Sequence, residues 1–295
     1  MSDSDKKLLV LRGYSPEEDT WLSFREPTDT PIASLCKRLV EDRYDKPFLV
    51  ENRQIRSLCF SIDGSVQTEM RLDEPESLVS AYTRKMMGFL LFRKRPREVV
   101  MIGLGGGSLA KFCHRHLPST RMTVIEINAG VIALRSHFQI PPDDARLRVI
   151  HGDGSAYVAA MARSNQSTHV LLVDAFDRQG VATAVTDCAF LKNARRVLST
   201  HGIFVINLVS NLDGYKLYIE KIRSVFGGPV IAVAVDNGVN VVVFAGRALR
   251  NRRRLSAATR NARHIEARLG LHFPTLLQRT REFQNQLLLQ DEAVG

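Results

Sequence analysis

The chain changes rhythm near Arg56. Upstream, residues 1 to about 47 mix polar and apolar positions without a sustained period, and Glu26, Pro27 and Thr28 mark a turn. Then Leu58, Phe60 and Ile62 alternate with other residues, Asp63-Gly64 intervenes, and Val66, Thr68 and Met70 resume at period two. An Asp-Gly between two alternating runs predicts a β-hairpin, hence a small β-rich N-terminal unit. Residues 78–92, LVSAYTRKMMGFLLF, predict a buried helix. Beyond it, short apolar runs and helical patterns take turns. Val99–Ile102, Met122–Ile127, Leu147–Ile150, Val170–Val173, Ile203–Leu208, Val230–Val235 and Val239–Phe244 predict strands, with a helix over Leu109–His116. Strands that are apolar throughout and separated by helices belong to a mostly parallel sheet covered on both faces. The fold class is therefore α/β, a Rossmann-like doubly wound sheet with a small N-terminal β-rich unit. Three segments follow: 1–85 with the hairpin, 86–248 with the sheet, and 249–295 as a basic, helical tail.

Composition narrows the class. At 295 residues, with 44% hydrophobic and 24% charged, the chain can bury a sizeable core. The start, MSDSDKKLLVLRGYSPEEDTW, has no positively charged flank leading into an apolar run, so no secretory signal is expected. The longest apolar runs fall well short of the ~20 residues of a membrane helix. Cys36, Cys59, Cys113 and Cys188 are scattered without metal-ligand spacing, which predicts reduced thiols, no metal and a cytoplasmic location. The net charge is +10, and a run of arginines from Arg247 to Arg263 precedes Glu266. Such a stripe can steer nucleic acid. Without interleaved aromatic residues for base stacking, it reads instead as the solvated face of a terminal helix.

In a doubly wound sheet, ligands bind beyond the carboxyl ends of the strands. After the first strand stands Gly103-Leu104-Gly105-Gly106-Gly107-Ser108, where glycines allow a tight turn and close approach of a ligand. The second ends at Glu126, suited to accept both ribose hydroxyls of a nucleoside. The third is followed by His151-Gly152-Asp153-Gly154, and the fourth by Asp174-Ala175-Phe176-Asp177. Each residue alone has an ordinary explanation: a structural turn, a solvated acid, or for Asp153 a helix cap. Their coincidence at successive strand ends points to a nucleoside site. A P-loop is excluded for want of the G-K-[ST] ending. The dinucleotide pattern G-x-G-x-x-G fails at Ser108, although its first two glycines fit. A sulfonium nucleoside accounts for Asp153 and the Asp174–Asp177 pair, which a nicotinamide cofactor does not require.

From about Phe60 to Gly246 the chain resembles the spermidine synthase (polyamine aminopropyltransferase) family, whose nucleotide domain is that of S-adenosylmethionine-dependent methyltransferases. Ile62-Asp63-Gly64-Ser65-Val66-Gln67 is similar to the family's L-D-G-x-x-Q element, and Asp73-Glu74 to the Asp-Glu after it. Ile102–Ser108, Val124–Ile127, Gly152–Gly154 and Val173–Asp177 match the remaining motifs in order. The resemblance implies that Gln67 and the loop glycines Gly103, Gly105 and Gly107 contact the donor. Glu126 would hold its ribose and Asp153 with Gly154 its adenine; Asp174 would be catalytic and Asp177 would bind the acceptor amine. It also implies a homodimer. Departures are informative. Gly106 stands where the family loop has an Asp near the donor's terminal amine, so the barrier of roughly 4 kcal/mol that two carboxylates about 4 Å apart would raise is gone. Ser77, Leu78 and Val79 stand where a Tyr-(His or Gln)-Glu element belongs, and Arg178 follows Asp177. Two transfers stay open: aminopropyl from decarboxylated S-adenosylmethionine to an amine, and methyl from S-adenosylmethionine. A non-catalytic nucleoside-binding homologue is the third reading.

Overall fold

The computed structural model describes residues 9–12, 20–26, 29–61, 66–177, 180–209, 214–236 and 238–282. The Asp63-Gly64 turn and Arg178 lie outside the described residues. Two compact units form. The first holds a five-stranded antiparallel sheet in chain order: β1 (Leu9–Arg12), β2 (Trp21–Phe24), β3 (Phe48–Glu51), β4 (Ile55–Cys59) and β5 (Thr68–Arg71). The expected hairpin is the β4–β5 pair, in which Leu58 faces Thr68. Helix α1 (Ile32–Val40) turns Leu35 and Leu39 into a core with Phe24, Tyr44, Phe48 and Cys59. There the Phe24 and Phe48 rings stack at 5.1 Å. Residues 1–47 thus contain two strands and a helix that their composition does not advertise: four-residue strands are too short to display a period. Gly105–Phe112 and Asn128–Pro141 belong to this unit as well.

The second unit begins with two short helices, α2 (Ala81–Met86) and α3 (Phe89–Phe92), in place of the single helix expected over 78–92. Gly88 separates them. A Cβ there would lie 2.9 Å from the Lys85 carbonyl oxygen and 3.1 Å from the Phe244 ring, so the chain bends where only a bare Cα fits. The chain continues through β6 (Glu98–Ile102), α4 (Ser108–His116), β7 (Arg121–Glu126), α5 (Ala129–Ala133), β8 (Leu147–His151), α6 (Gly154–Arg163) and β9 (Thr168–Val173). A two-residue pair, β10 (Phe176–Asp177) and β11 (Gly180–Val181), precedes α7 (Cys188–Val197) and β12 (Leu198–Val209). Then come α8 (Tyr215–Phe226), β13 (Val230–Ala234), β14 (Asn240–Ala245) and α9 (Arg252–Leu269).

The large sheet has seven strands in the order β13-β14-β12-β9-β6-β7-β8. It is parallel from β8 to β12, whereas β14 runs antiparallel to both its neighbours. Ile102, Val173, Phe204 and Ile206 pack on one face with Val158 of α6, Leu191 of α7 and Ile222 of α8. On the other face the Phe92 ring of α3 lies 6.4 Å from Phe244. Each wholly buried side chain of this kind is worth roughly 1.5–3 kcal/mol relative to exposure. The winding reverses between β6 and β9, the kind of switch point beside which doubly wound sheets bind their ligands.

Candidate active site

Four parallel strands of the second unit end level with one another. Ile102 pairs with Ile125 and with Val173, and Glu126 with His151. Backbone hydrogen bonds continue past the strands: Gly103 N–H donates to Ile125 O at 2.9 Å, Asp174 N–H to Ile102 O at 2.9 Å, and Gly152 N–H to Glu126 O at 3.0 Å. Gly103, Glu126, Asp153, Gly154 and Asp174 therefore share the carboxyl edge of one sheet.

The loops there meet closely. Gly103 has φ +91°, and a Cβ on it would overlap the Asp174 carbonyl oxygen and sit 2.8 Å from its carbon. Only glycine lets the two loops pass at the switch point. Leu104 N–H donates to Glu126 Oε2 at 2.8 Å, and Glu126 is buried. Asp153 is exposed and caps α6, its Oδ1 accepting from Ser155 N–H at 2.7 Å and Ala156 N–H at 3.3 Å. Such a cap is worth ~1 kcal/mol. Both bonds fall on one oxygen.

Asp174 is held from two sides. Its Oδ1 accepts from Asn207 Nδ2 at 3.0 Å, and Tyr82 of α2 hydrogen-bonds to it as well. Asn207, itself buried, accepts from Asn240 Nδ2 at 3.1 Å. Burial pushes the Asp174 carboxyl up to about 6, against the opposing pull of the Asn207 and Tyr82 hydrogen bonds. Burial, and then the adjacent Asp174, hold Tyr82 well above the usual phenol range, so it stays a neutral donor. Neither partner figured among the sequence candidates. Asn207 carries a signal, being the one polar residue in the apolar run Ile203–Leu208. Phe204, Ile206 and Leu208 join the core on the α6–α8 face; strand alternation turns Asn207 to the face that carries α2. Tyr82 lies a few residues beyond Ser77, Leu78 and Val79, the positions at which the resemblance called for a tyrosine.

The remaining candidates belong to other elements. Gly105 (φ +51°), Gly107 (φ +68°) and Gln67 belong to the first unit, where Gln67 N–H donates to Leu58 O at 2.9 Å. Gly106 has no room for a side chain: a Cβ would lie 2.5 Å from Thr68 Cγ2 and 2.8 Å from Phe138 Cδ1. That wall is pinned by Lys111, a buried lysine whose Nζ donates to Phe138 O at 2.7 Å and which burial pushes down to about 8. Asp177 falls in β10. Among the described residues no cluster of three or more His, Cys, Asp or Glu is placed to hold a metal, and no helix is long and apolar enough to cross a membrane.

The family model for the spermine/spermidine synthase domain matches residues 79–221, the stretch that carries every strand end from Gly103 to Asp174. The polyamine aminopropyltransferase of Chromobacterium violaceum is 36% identical over 237 residues, covering 80% of this chain and 89% of that enzyme. The chain belongs to the spermidine synthase family. It is accordingly a transferase. A solved spermidine synthase in complex with the transition-state analogue AdoDATO matches with a TM-score of 0.56 at 17% identity, over 77% of this chain and 86% of that one. Human methyltransferase-like protein 13, in complex with SAH, matches with a TM-score of 0.54 at 21% identity, over 62% and 93%. These two likenesses are of fold. They place this spermidine synthase family member on the architecture that both kinds of transferase share.

Proposed function

We propose that this family member transfers an aminopropyl group from decarboxylated S-adenosylmethionine to an amine, with Asp174 as the group that orients the amine and takes its proton. The observation that carries the reading is the setting of Asp174: partly buried and tied to Tyr82 and Asn207, with burial pushing its carboxyl up to about 6. A primary ammonium has a pKa near 10, so freeing its lone pair at pH 7 costs about 4 kcal/mol. A carboxylate of raised pKa is a better proton acceptor than an ordinary one and is still ionised at pH 7. The amine nitrogen bonds to the carbon beside sulfur as the carbon–sulfur bond breaks. Its electron pair stays on sulfur, the sulfonium becomes a neutral thioether, and the ammonium proton passes to Asp174. Glu126 would take the ribose hydroxyls, and Asp153 the adenine amine through its Oδ2, leaving the helix cap on Oδ1 intact. By resemblance to the family, Gln67, Gly103, Gly105, Gly107 and Gly154 would each contact the donor, and Asp177 would meet the acceptor amine.

One observation favours a second reading. Gly106 lacks the family acid, and Thr68 and Phe138 fill the space that acid would need. A donor that keeps its carboxylate meets no opposing charge there, and methyl transfer from S-adenosylmethionine follows. Calorimetric titration with both donors separates the two. Aminopropyl transfer requires the decarboxylated donor to bind tighter; equal or tighter binding of S-adenosylmethionine sinks it in favour of methyl transfer. If neither donor binds, both readings fail.

A further inference from the structure

At the opposite, amino edge of the large sheet, cations gather that no acid among the described residues pairs with. Arg93 follows α3, Arg97 leads into β6, His169 opens β9 beside it, and Arg254 sits in the first turn of α9. Arg254 donates to Phe92 O at 3.0 Å, which brings its guanidinium next to Arg93. Arg93 is partly buried, and its Nε is buried with no hydrogen-bond partner among the described residues. Burial, then Arg254, then Arg97 all disfavour its charge. The nearby acid is spoken for: Glu98 accepts from Arg121 Nε at 2.8 Å. Among the described residues no carboxylate pairs with any of the three guanidiniums. The first turn of α9 carries no acid either, although its backbone N–H groups already make that end positive.

His169 completes the set. Its Nδ1 accepts from the backbone N–H of Glu98 at 3.0 Å and of Arg97 at 3.3 Å. An Nδ1 that accepts leaves the proton on Nε2, which then points a donor away from the strand. Burial and the neighbouring Arg93 hold the ring neutral.

We propose that Arg93, Arg97, Arg254 and His169 Nε2–H form a binding site for a compact phosphate-type dianion, separate from the transfer site. Guanidiniums that repel one another are stabilised together by one multivalent oxyanion, which each of them meets with a charge-assisted hydrogen bond. The buried Nε of Arg93 suits a small ion that enters among the side chains. A polymer lying across the surface would leave it unmet.

Titration of the full chain with inorganic phosphate in physiological chloride tests this, read by calorimetry and by melting temperature. Saturable one-site binding is expected, with a melting temperature that rises with phosphate. Arg93→Gln with Arg97→Gln should weaken binding at least about tenfold and abolish that rise, since each hydrogen bond to a charged group carries a factor of that order. His169→Asn keeps an acceptor for the two backbone N–H groups but loses the outward donor, and should weaken binding severalfold without lowering the melting temperature in phosphate-free buffer. Failure of phosphate to saturate overturns the proposal, as does wild-type affinity in the double arginine variant or full competition by chloride. Arg93-dependent binding of a single-stranded oligonucleotide, with no binding of free phosphate, overturns it in favour of a nucleic-acid surface.

Discussion

The two edges of the seven-stranded sheet carry opposite charge and treat it in opposite ways. At the carboxyl edge Glu126 holds Leu104 N–H, Asp153 caps α6, and Asp174 is gripped by Asn207 and Tyr82. At the amino edge Arg254 and Arg97 both lie near enough to Arg93 to disfavour its charge, and no acid is paired with any of the three among the described residues. The first arrangement is organised before any ligand arrives, and suits a cation whose position must be fixed for chemistry. The second repels itself, and the anion proposed above would relieve that repulsion. A five-residue strand spans roughly 16 Å, beyond a Debye length of about 8 Å at physiological salt. Along that separation the two fields need not cancel, and one strand can serve both.

The largest expected effect breaks the comparison at its acidic side. Asp174→Asn should lower turnover on the order of 10²–10⁴-fold, the usual share of a proton acceptor, with donor affinity nearly unchanged. Phosphate affinity at the other edge should not move. Unchanged turnover would remove Asp174 from its proposed role, and a parallel loss of phosphate binding would show that the edges are coupled.

Next in size is a stability contrast within the carboxyl edge itself. Gly103→Ala puts a methyl group into the Asp174 carbonyl at a positive φ and should cost at least about 2 kcal/mol of unfolding free energy. Gly152→Ala, with nothing within 4 Å of the new carbon, should stay within about 0.5 kcal/mol. Denaturant unfolding of both variants checks the difference. A mild Gly103→Ala would mean that the loops can separate, and that this edge is less rigid than its hydrogen bonds imply.

How far the site is legible in the sequence follows from the same contrast. The carboxyl edge could be read because its parts recur at strand ends: apolar runs such as Val99–Ile102 and Val170–Val173 locate the strands, and the next residues are the candidates. The support behind Asp174 was hidden. Tyr82 is brought in by helix α2, and no spacing in the chain links it to residue 174. Asn207 stood in plain view as a polar residue in a buried run, yet its partner depends on which face of β12 it occupies. The reversed course of β14 was equally unreadable, because a buried strand shows the same apolar run whichever way it points. The arginines from Arg247 to Arg263 read as a solvated face, and most of that face belongs to α9. What the run could not reveal is that Arg254 meets Arg93, more than a hundred residues earlier.

The smallest effect expected is a shift in pH dependence, and it bears on whether the acidic edge is preorganised by its hydrogen bonds. Asp174 must be ionised to accept a proton, so kcat/KM should rise with pH through about 6. The Asn207 hydrogen bond favours the charged carboxylate, and its removal in Asn207→Leu should push that limb upward by about one pH unit, the equivalent of roughly 1.4 kcal/mol. Stability carries the same sign. Because burial raises the Asp174 carboxyl from 3.8 to about 6, the folded state holds its proton where the unfolded chain has released it. The folded state is therefore favoured most below about 4 and loses that advantage as pH rises to about 6. Asn207→Leu should deepen the loss, so its destabilisation relative to wild type should be larger at pH 8 than at pH 4. A purely packing role for Asn207 would lower stability by the same amount at both and leave the kinetic limb where it was.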